Sequence, residues 1–418
     1  MTLDARLRSN IIALYIVQGL NPLLSLVTFP FLTRTLGADG FGVMMGAFYA
    51  IQYGVLFTDF GFNLSATREI AQLRDDPAAA ARVFWKINCA KALLAVVSCV
   101  ALTVLVCVIG DWRQHAGVYL FSLIYIVSSV FFPQWYFQGY EALRLASLLT
   151  VVSRVLMLGL LLLLVRGPGD VALAVVLQAT PAMLAGAIWW GSGWGLVRPA
   201  WVAPTFAGIR QAWKDSWPFF LSALSTSLYT TSTGFLLSFF AGPAQVGFFG
   251  AAFRFVYTAQ GALIDPLVKA TYPRIAQLAV ADRPGAMVLI RKALLLQGGA
   301  GLAATLVLML GAPWIVPLLL GHGMTGAVAA VMWLAPAIVL GALSYLYGSQ
   351  TLLTFGHERY YSRVLIVAGL LNVALLVALL PGAAQPAVRA AQAVIAVEAF
   401  IVAAFWWRAR QVFAEIRA

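Results

Sequence analysis

Runs of about twenty apolar residues, broken by short polar segments, recur along the whole chain, and each is long enough to cross a hydrocarbon layer of ~30 Å as an α-helix. The pattern predicts twelve spans. The first six lie at roughly 10–32, 41–65, 84–110, 117–138, 146–165 and 171–194. The second six lie at roughly 216–240, 246–269, 289–310, 327–348, 363–380 and 387–407. Several contain Pro or Gly, which membrane helices accept where neighbours satisfy the freed backbone groups. The longest polar connections, about 66–83, 195–215 and 270–288, are too short for a separate soluble domain. MTLDARLRSN resembles the start of a secretion signal, but the apolar run behind Arg6 and Arg8 has no small-x-small cleavage site, so it reads as a retained first helix.

Composition narrows the class. The chain of 418 residues is 62% hydrophobic and 10% charged, with mean hydropathy +0.90. A soluble domain cannot hide that much apolar surface. The net charge of +12 would suggest nucleic acid on a soluble protein. Here basic residues gather in alternate connections, as the positive-inside rule requires. With the N-terminus inside, 22 of the 27 Lys and Arg fall in cytoplasmic segments, among them Arg68, Lys86, Lys91, Arg144, Arg154, Arg274 and Arg408. Only Arg34, Arg113, Arg166 and Arg389 fall outside, and Arg254 stands within the membrane. Both termini are therefore expected in the cytoplasm. Cys89, Cys99 and Cys107 have no ligand spacing, and His115, His322 and His357 are scattered, so neither a metal nor a cofactor is expected. No GxxxxGK[ST] loop is present, which excludes an ATPase of that type.

The two halves resemble each other. LGADGFGVMMGAFYAIQYGVLFTDFGFNLSATREIAQL in the first parallels AGPAQVGFFGAAFRFVYTAQGALIDPLVKATYPRIAQL in the second. Each has a Gly turn, a helix opening on aromatic–Gly pairs, an Asp (Asp59, Asp265), and Arg before Ile-Ala-Gln-Leu (Arg68, Arg274). A repeat of six helices inserts in the same sense twice, so its pseudo-twofold axis runs along the membrane normal and the substrate path is expected between lobes. The expectation is thus an all-α membrane protein of twelve helices. Its N-terminal lobe would be 1–195, its linker 196–215 and its C-terminal lobe 216–418. The linker's TFAGIRQAWKDSW mixes Trp with basic residues, as an interfacial helix does.

The segment FFPQWYFQGYEALRLAS, 131–147, resembles the P-x-W-x-F-Q-G-x-E segment of bacterial polysaccharide flippases, with Pro133, Trp135, Phe137, Gln138, Gly139 and Glu141 in place. PFLTRTLGADGFG and TDFGFNLSATREIA agree with the same Wzx-type, or O-antigen transporter, group of the multidrug/oligosaccharidyl-lipid/polysaccharide exporter superfamily. The resemblance spans the chain in length and span count, with its motifs in the first 145 residues. It implies a non-enzymatic flippase of the bacterial inner membrane. Such a protein moves undecaprenyl-pyrophosphate-linked oligosaccharide across the bilayer by alternating access, driven by an ion gradient. A polysaccharide polymerase and a chain-length regulator are the implied partners, and a monomer is expected. The main alternative is a multidrug or organic cation antiporter of the same superfamily, whose cavity should be acidic. A glycosyltransferase or polymerase would need a large loop or catalytic domain, and lipid II flippases usually carry fourteen spans.

Arg254 is the first candidate for substrate binding. An arginine at helix centre costs about 2.5–3.5 kcal/mol to insert, and a guanidinium matches phosphate oxygens bidentately. At helical spacing Arg254, Thr258, Gly261 and Asp265 share a face. The bland reading is a structural pair with Asp59 or Asp265. Arg34, Arg144 and Arg154 are candidates to attract the pyrophosphate, or simply anchors and loop charges. Gln18, Gln52, Asn63 and Tyr229 belong to polar stripes that could line a sugar path or join helices. Trp135 is a candidate for sugar stacking or an aromatic-belt residue. Glu398, Asp59 and Asp265 are the candidates for ion coupling. Asp59 and Asp265 have a bland reading as helix-end carboxylates paired with Arg68, Arg274 or Lys269. Glu398 lies mid-span with no basic residue within a turn. Apolar surroundings there disfavour a charged carboxylate, so it is suited to taking up a proton, or else pairs with Arg254.

Overall fold

The computed structural model describes the backbone of residues 5–192 and 198–417, and the side chains of these apart from 5–23, 25, 26, 143, 192 and 417. Every regular element among them is helical. Two compact units are present. The first comprises Met1–Leu36 and Gly46–Leu224; the second comprises Gly37–Met45 and Ser225–Ala418. The boundary between the units falls inside a helix near 224. The nine residues after Leu36 also belong with the second unit.

Helix α1 (Ala5–Asp59) has 55 residues, more than twice what one crossing needs, and breaks at Gly37 (φ 69, ψ −178). Glycine reaches that conformation without steric cost. The two sides of the break correspond to the first two expected spans. A second break, at Phe60 and Gly61 (φ 43 and 79), separates α1 from α2 (Phe62–Leu73). A left-handed phenylalanine is uncommon; Phe60 is held by stacking on Phe220, with centroids 4.5 Å apart and planes within 10°. Asp76 then caps α3 (Pro77–Val108), accepting from the Ala78 and Ala79 amides behind an N1 proline. The expected span 117–138 is fractured. Short α4 (Gly110–Gln114) precedes α5 (Ala116–Ser122), α6 (Ile124–Phe131) and α7 (Gln134–Gly139), with Pro133 between the last two. Long α8 (Leu143–Leu164) and α9 (Val171–Ser192) follow.

The extended segment 198–205 leads to α10 (Phe206–Thr230) and α11 (Ser232–Phe240). The expected interfacial stretch is therefore the start of a longer helix. Next come α12 (Pro243–Leu263) and α13 (Asp265–Ala281). Then α14 (Arg283–Ala293) runs through a π-helical turn, Leu294–Gly298, into α15 (Gly299–Leu320). After α16 (Ala327–Leu334) and α17 (Ala337–Ser344), a second π-helical stretch covers Tyr345–Leu353. The chain ends in α18 (Glu358–Leu379) and α19 (Pro386–Arg417).

Among the described residues nine stretches are long and apolar enough to cross a membrane. One of them, Val27–Leu73, includes the Gly37 break. Burial along α3 shows how such a helix is solvated. Leu93, Val96, Val97, Val100 and Val104 are exposed on one side, while Ile87, Leu94, Ser98 and Leu102 are buried on the other. An exposed valine stripe suits lipid rather than water. The protein is an all-helical multi-pass membrane protein.

Glycines bring helices close in the second unit. A Cβ at Gly42 would fall on the Pro243 carbonyl, and one at Gly247 would meet Gly42 and the Ala38 carbonyl. These two glycines lie in the two repeat segments, and they meet as small residues do at close helix crossings. Backbone cannot yield as a side chain can. Gly42→Ala is expected to cost ~1–3 kcal/mol, read as a lowered thermal midpoint in detergent; an unchanged midpoint would refute the close crossing.

Candidate functional site

In the second unit, α12 starts at Pro243, whose missing N–H costs nothing at a first helical position. Arg254 lies eleven residues on, at mid-helix, half-buried between the buried Ala251, Ala252 and Val256. Ion pairs among the described residues include Arg74–Glu141, Lys86–Glu69, Lys91–Asp59 and Arg408–Glu415. Arg254 takes part in none of them, nor in a hydrogen bond among those residues. Within the second unit, the pairings weighed for it with Asp265 and Glu398 are not formed among the described residues. Asp265 folds back over Gly261, the face shared with Arg254 and Thr258, and its electrostatic partner is Lys269, one turn on.

Glu398 of α19 is 3% exposed. It accepts hydrogen bonds from the Tyr229 hydroxyl of α10 and, at 3.2 Å, from the Tyr257 hydroxyl of α12. Tyr257 stands one turn from Arg254 and packs on Phe253, with centroids 4.2 Å apart. Tyr345 lies within electrostatic reach of both Glu398 and Asp265, and Tyr361 within reach of Tyr229. Asn372 of α18 donates to Ser232 at 2.9 Å and Thr233 at 3.0 Å. The second unit thus brings together Tyr229 and Glu398 from the sequence candidates, and adds Tyr257. Tyr257 follows Arg254 by three residues, so the helical period places the two on adjoining faces.

The first unit holds the other candidates. Gln52 is half-buried, Asn63 exposed and donating to Asp59 at 3.3 Å, and Arg34 and Arg144 are exposed. Arg154 is half-buried. Gln18 lies outside the described side chains. Trp135 requires a correction. It is 1% exposed, enclosed by Phe84, Tyr136 and the rest of an aromatic core, and offers no face for a sugar. Lys91 requires another. It is not a loop cation but a buried residue of α3, 2.7 Å from Asp59, so Arg254 is not alone among charges within the helices. Asp59 pairs with Lys91, not with Arg68.

Two of the segments that resembled one family's motifs, TDFGFNLSATREIA and FFPQWYFQGYEALRLAS, interlock. The Thr67 hydroxyl of α2, 2.7 Å from the Asn63 carbonyl of its own helix, also lies 3.2 Å from the Trp135 carbonyl and 3.5 Å from Gln138 Oε1, with one proton to share among them. Gly139 of α7 sits against Ile70, where a Cβ would collide. Glu141, left-handed at φ 56, meets Arg74 at 3.4 Å.

Solved structures of the same shape are membrane transporters. The chain resembles a lipid II flippase MurJ in an inward closed conformation (TM-score 0.71, 10% identity, 96% of this chain, 87% of that one). It also resembles an inward-facing multidrug resistance MATE family transporter (TM-score 0.67, 16% identity, 96% and 98%). At 10% and 16% identity these likenesses show a shared fold, that of a multi-pass helical membrane protein. The chain belongs to the polysaccharide biosynthesis protein family, whose model matches residues 7–279. A putative O-antigen transporter of Escherichia coli K12 is 34% identical over 88% of this chain and 89% of its own. Another, of Shigella dysenteriae, is 30% identical over 88% and 91%.

Proposed function

We propose that this protein is a flippase that carries undecaprenyl-pyrophosphate-linked oligosaccharide units across the bacterial inner membrane by alternating access, driven by an ion gradient. The observation that carries the reading is Arg254. A half-buried guanidinium at mid-helix, with no protein partner among the described residues, is costly unless it serves an anion. A pyrophosphate supplies that charge in the geometry a guanidinium favours. The relatives named as O-antigen transporters support the same substrate class. The finer architecture in this reading is twelve spans in two six-helix halves, 1–195 and 216–418, with both termini cytoplasmic. Arg34, Arg144 and Arg154 attract the head group, and Gln18, Gln52, Asn63 and Tyr229 accompany the sugars. Glu398 is the coupling carboxyl, with Asp265 second; Asp59 is committed to Lys91. A polymerase and a chain-length regulator would take the product onward.

Deletion of the gene in its host tests this. The expected result is loss of surface polysaccharide with undecaprenyl-linked repeat units held on the cytoplasmic side. Intact polysaccharide with altered sensitivity to cationic drugs would replace the flippase by a cation exporter.

A further inference from the structure

One buried cation stands outside the Arg254 and Glu398 groups. Lys91 is 2% exposed, on the inward face of α3 with Ile87, Leu94 and Ser98. Its ammonium meets Asp59 at 2.7 Å and donates to the Ser129 carbonyl at 2.9 Å. Both acceptors lie where helices stop. Asp59 is the last residue of α1, where free carbonyls make a carboxylate unfavourable. The Ser129 carbonyl, in the last turn of α6, would take the amide of residue 133; that residue is Pro133, which has none. One ammonium therefore answers a helix-end carboxylate and a carbonyl orphaned by proline. The chain turns sharply after each acceptor, at Phe60–Gly61 and at Pro133. The segments that leave these turns, α2 and α7, are the two that interlock through Thr67, Gly139 and Ile70.

The internal repeat shows that the second half lacks this arrangement. Asp76 and Asp282 cap corresponding helices 206 residues apart, the same step that separates Asp59 from Asp265. That step takes Lys91 to Gln297. Gln297 is buried and neutral, within the first π-helical turn. It donates to Thr271 at 2.9 Å and to Gln350 at 3.4 Å rather than to Asp265. The first half is ionically pinned at this place; the second is joined by neutral amides across two π-helical stretches.

We propose that Lys91 is a positioning residue for transport. It holds the α1–α2 break and the α6–α7 break in one geometry, so the interlocked pair keeps its place through the cycle. The proposal rests on the transport reading above. Lys91→Met alone would strand Asp59 and could prevent folding, so the decisive variant removes both charges. In a deletion strain, Asp59→Asn with Lys91→Met is expected at near wild-type abundance in the membrane, with surface polysaccharide reduced about tenfold. Lys91→Arg, which can donate to both acceptors, is expected to stay within about threefold of wild type. Wild-type export by the neutral pair would overturn the proposal. So would its disappearance from the membrane, which would make the pair a folding element only. Failure of an abundant Lys91→Arg protein would overturn it as well. A deletion strain that keeps its polysaccharide would instead refute the flippase reading, before any Lys91 variant is compared.

Discussion

Arg254→Ala is expected to reach the membrane at wild-type abundance and to lose export almost completely. The two halves of this prediction have separate physical grounds. Arg254 makes no hydrogen bond or ion pair among the described residues, so its removal breaks no bond of the fold among them. Shortening it also relieves an insertion cost of about 2.5–3.5 kcal/mol at helix centre. The loss falls on the substrate. A bidentate contact to pyrophosphate comprises two charge-assisted hydrogen bonds of about 1.5–3 kcal/mol each, which corresponds to at least about a hundredfold in transport at limiting substrate. Arg254→Lys keeps the charge but not the planar fork, and should retain an intermediate level, within about tenfold of wild type. Quantifying surface polysaccharide against membrane-embedded protein separates these effects. Normal polysaccharide from Arg254→Ala would show that the guanidinium serves something other than the cargo.

Which parts of this architecture could be read in advance follows from how local each signal is. An apolar run of twenty residues reports on itself, so the helices on both sides of Gly37 were legible, and Gly37 itself marked the turn. Arg254 was legible for the same reason, as a charge where the local pattern forbids one. The break after Asp59 was not legible. Phe60 takes a left-handed conformation only because Phe220, far along the chain, stacks on it. Within 117–138 only Pro133 marked a break; the one at Leu123 lies in an apolar run with no local signal. Counting loop charges assigned Lys91 to a connection, five residues beyond Lys86; only packing against α1 and α6 makes it an interior cation. The same tertiary cause moved Trp135. An aromatic run reads equally well as a membrane belt and as a core, and the partners that decide it, Phe84 and Trp189, come from distant helices. The motifs named the family without revealing that Thr67, Gln138 and Gly139 serve one clamp.

Glu398→Gln is the second substitution with a large expected effect, and it isolates proton uptake from packing. The amide oxygen can still accept from the hydroxyls of Tyr229 and Tyr257, so two helices keep their contact with α19. What the amide cannot do is alternate between a neutral and a charged form. If Glu398 couples transport to a proton gradient, the variant should accumulate normally while gradient-driven export falls by about tenfold or more. Tyr257→Phe removes only one donor, at 3.2 Å from a carboxyl that Tyr229 still contacts, and should cost about two- to fivefold. Collapsing the gradient with a protonophore provides the deciding comparison. Wild-type export should fall to the level of Glu398→Gln, while the residual export of the variant should not change. Full activity of Glu398→Gln would make the carboxyl a structural acceptor for two tyrosines. The search for the coupling group would then move to Asp265, which lies on the same face of the chain as Arg254 and has Lys269 as its electrostatic neighbour.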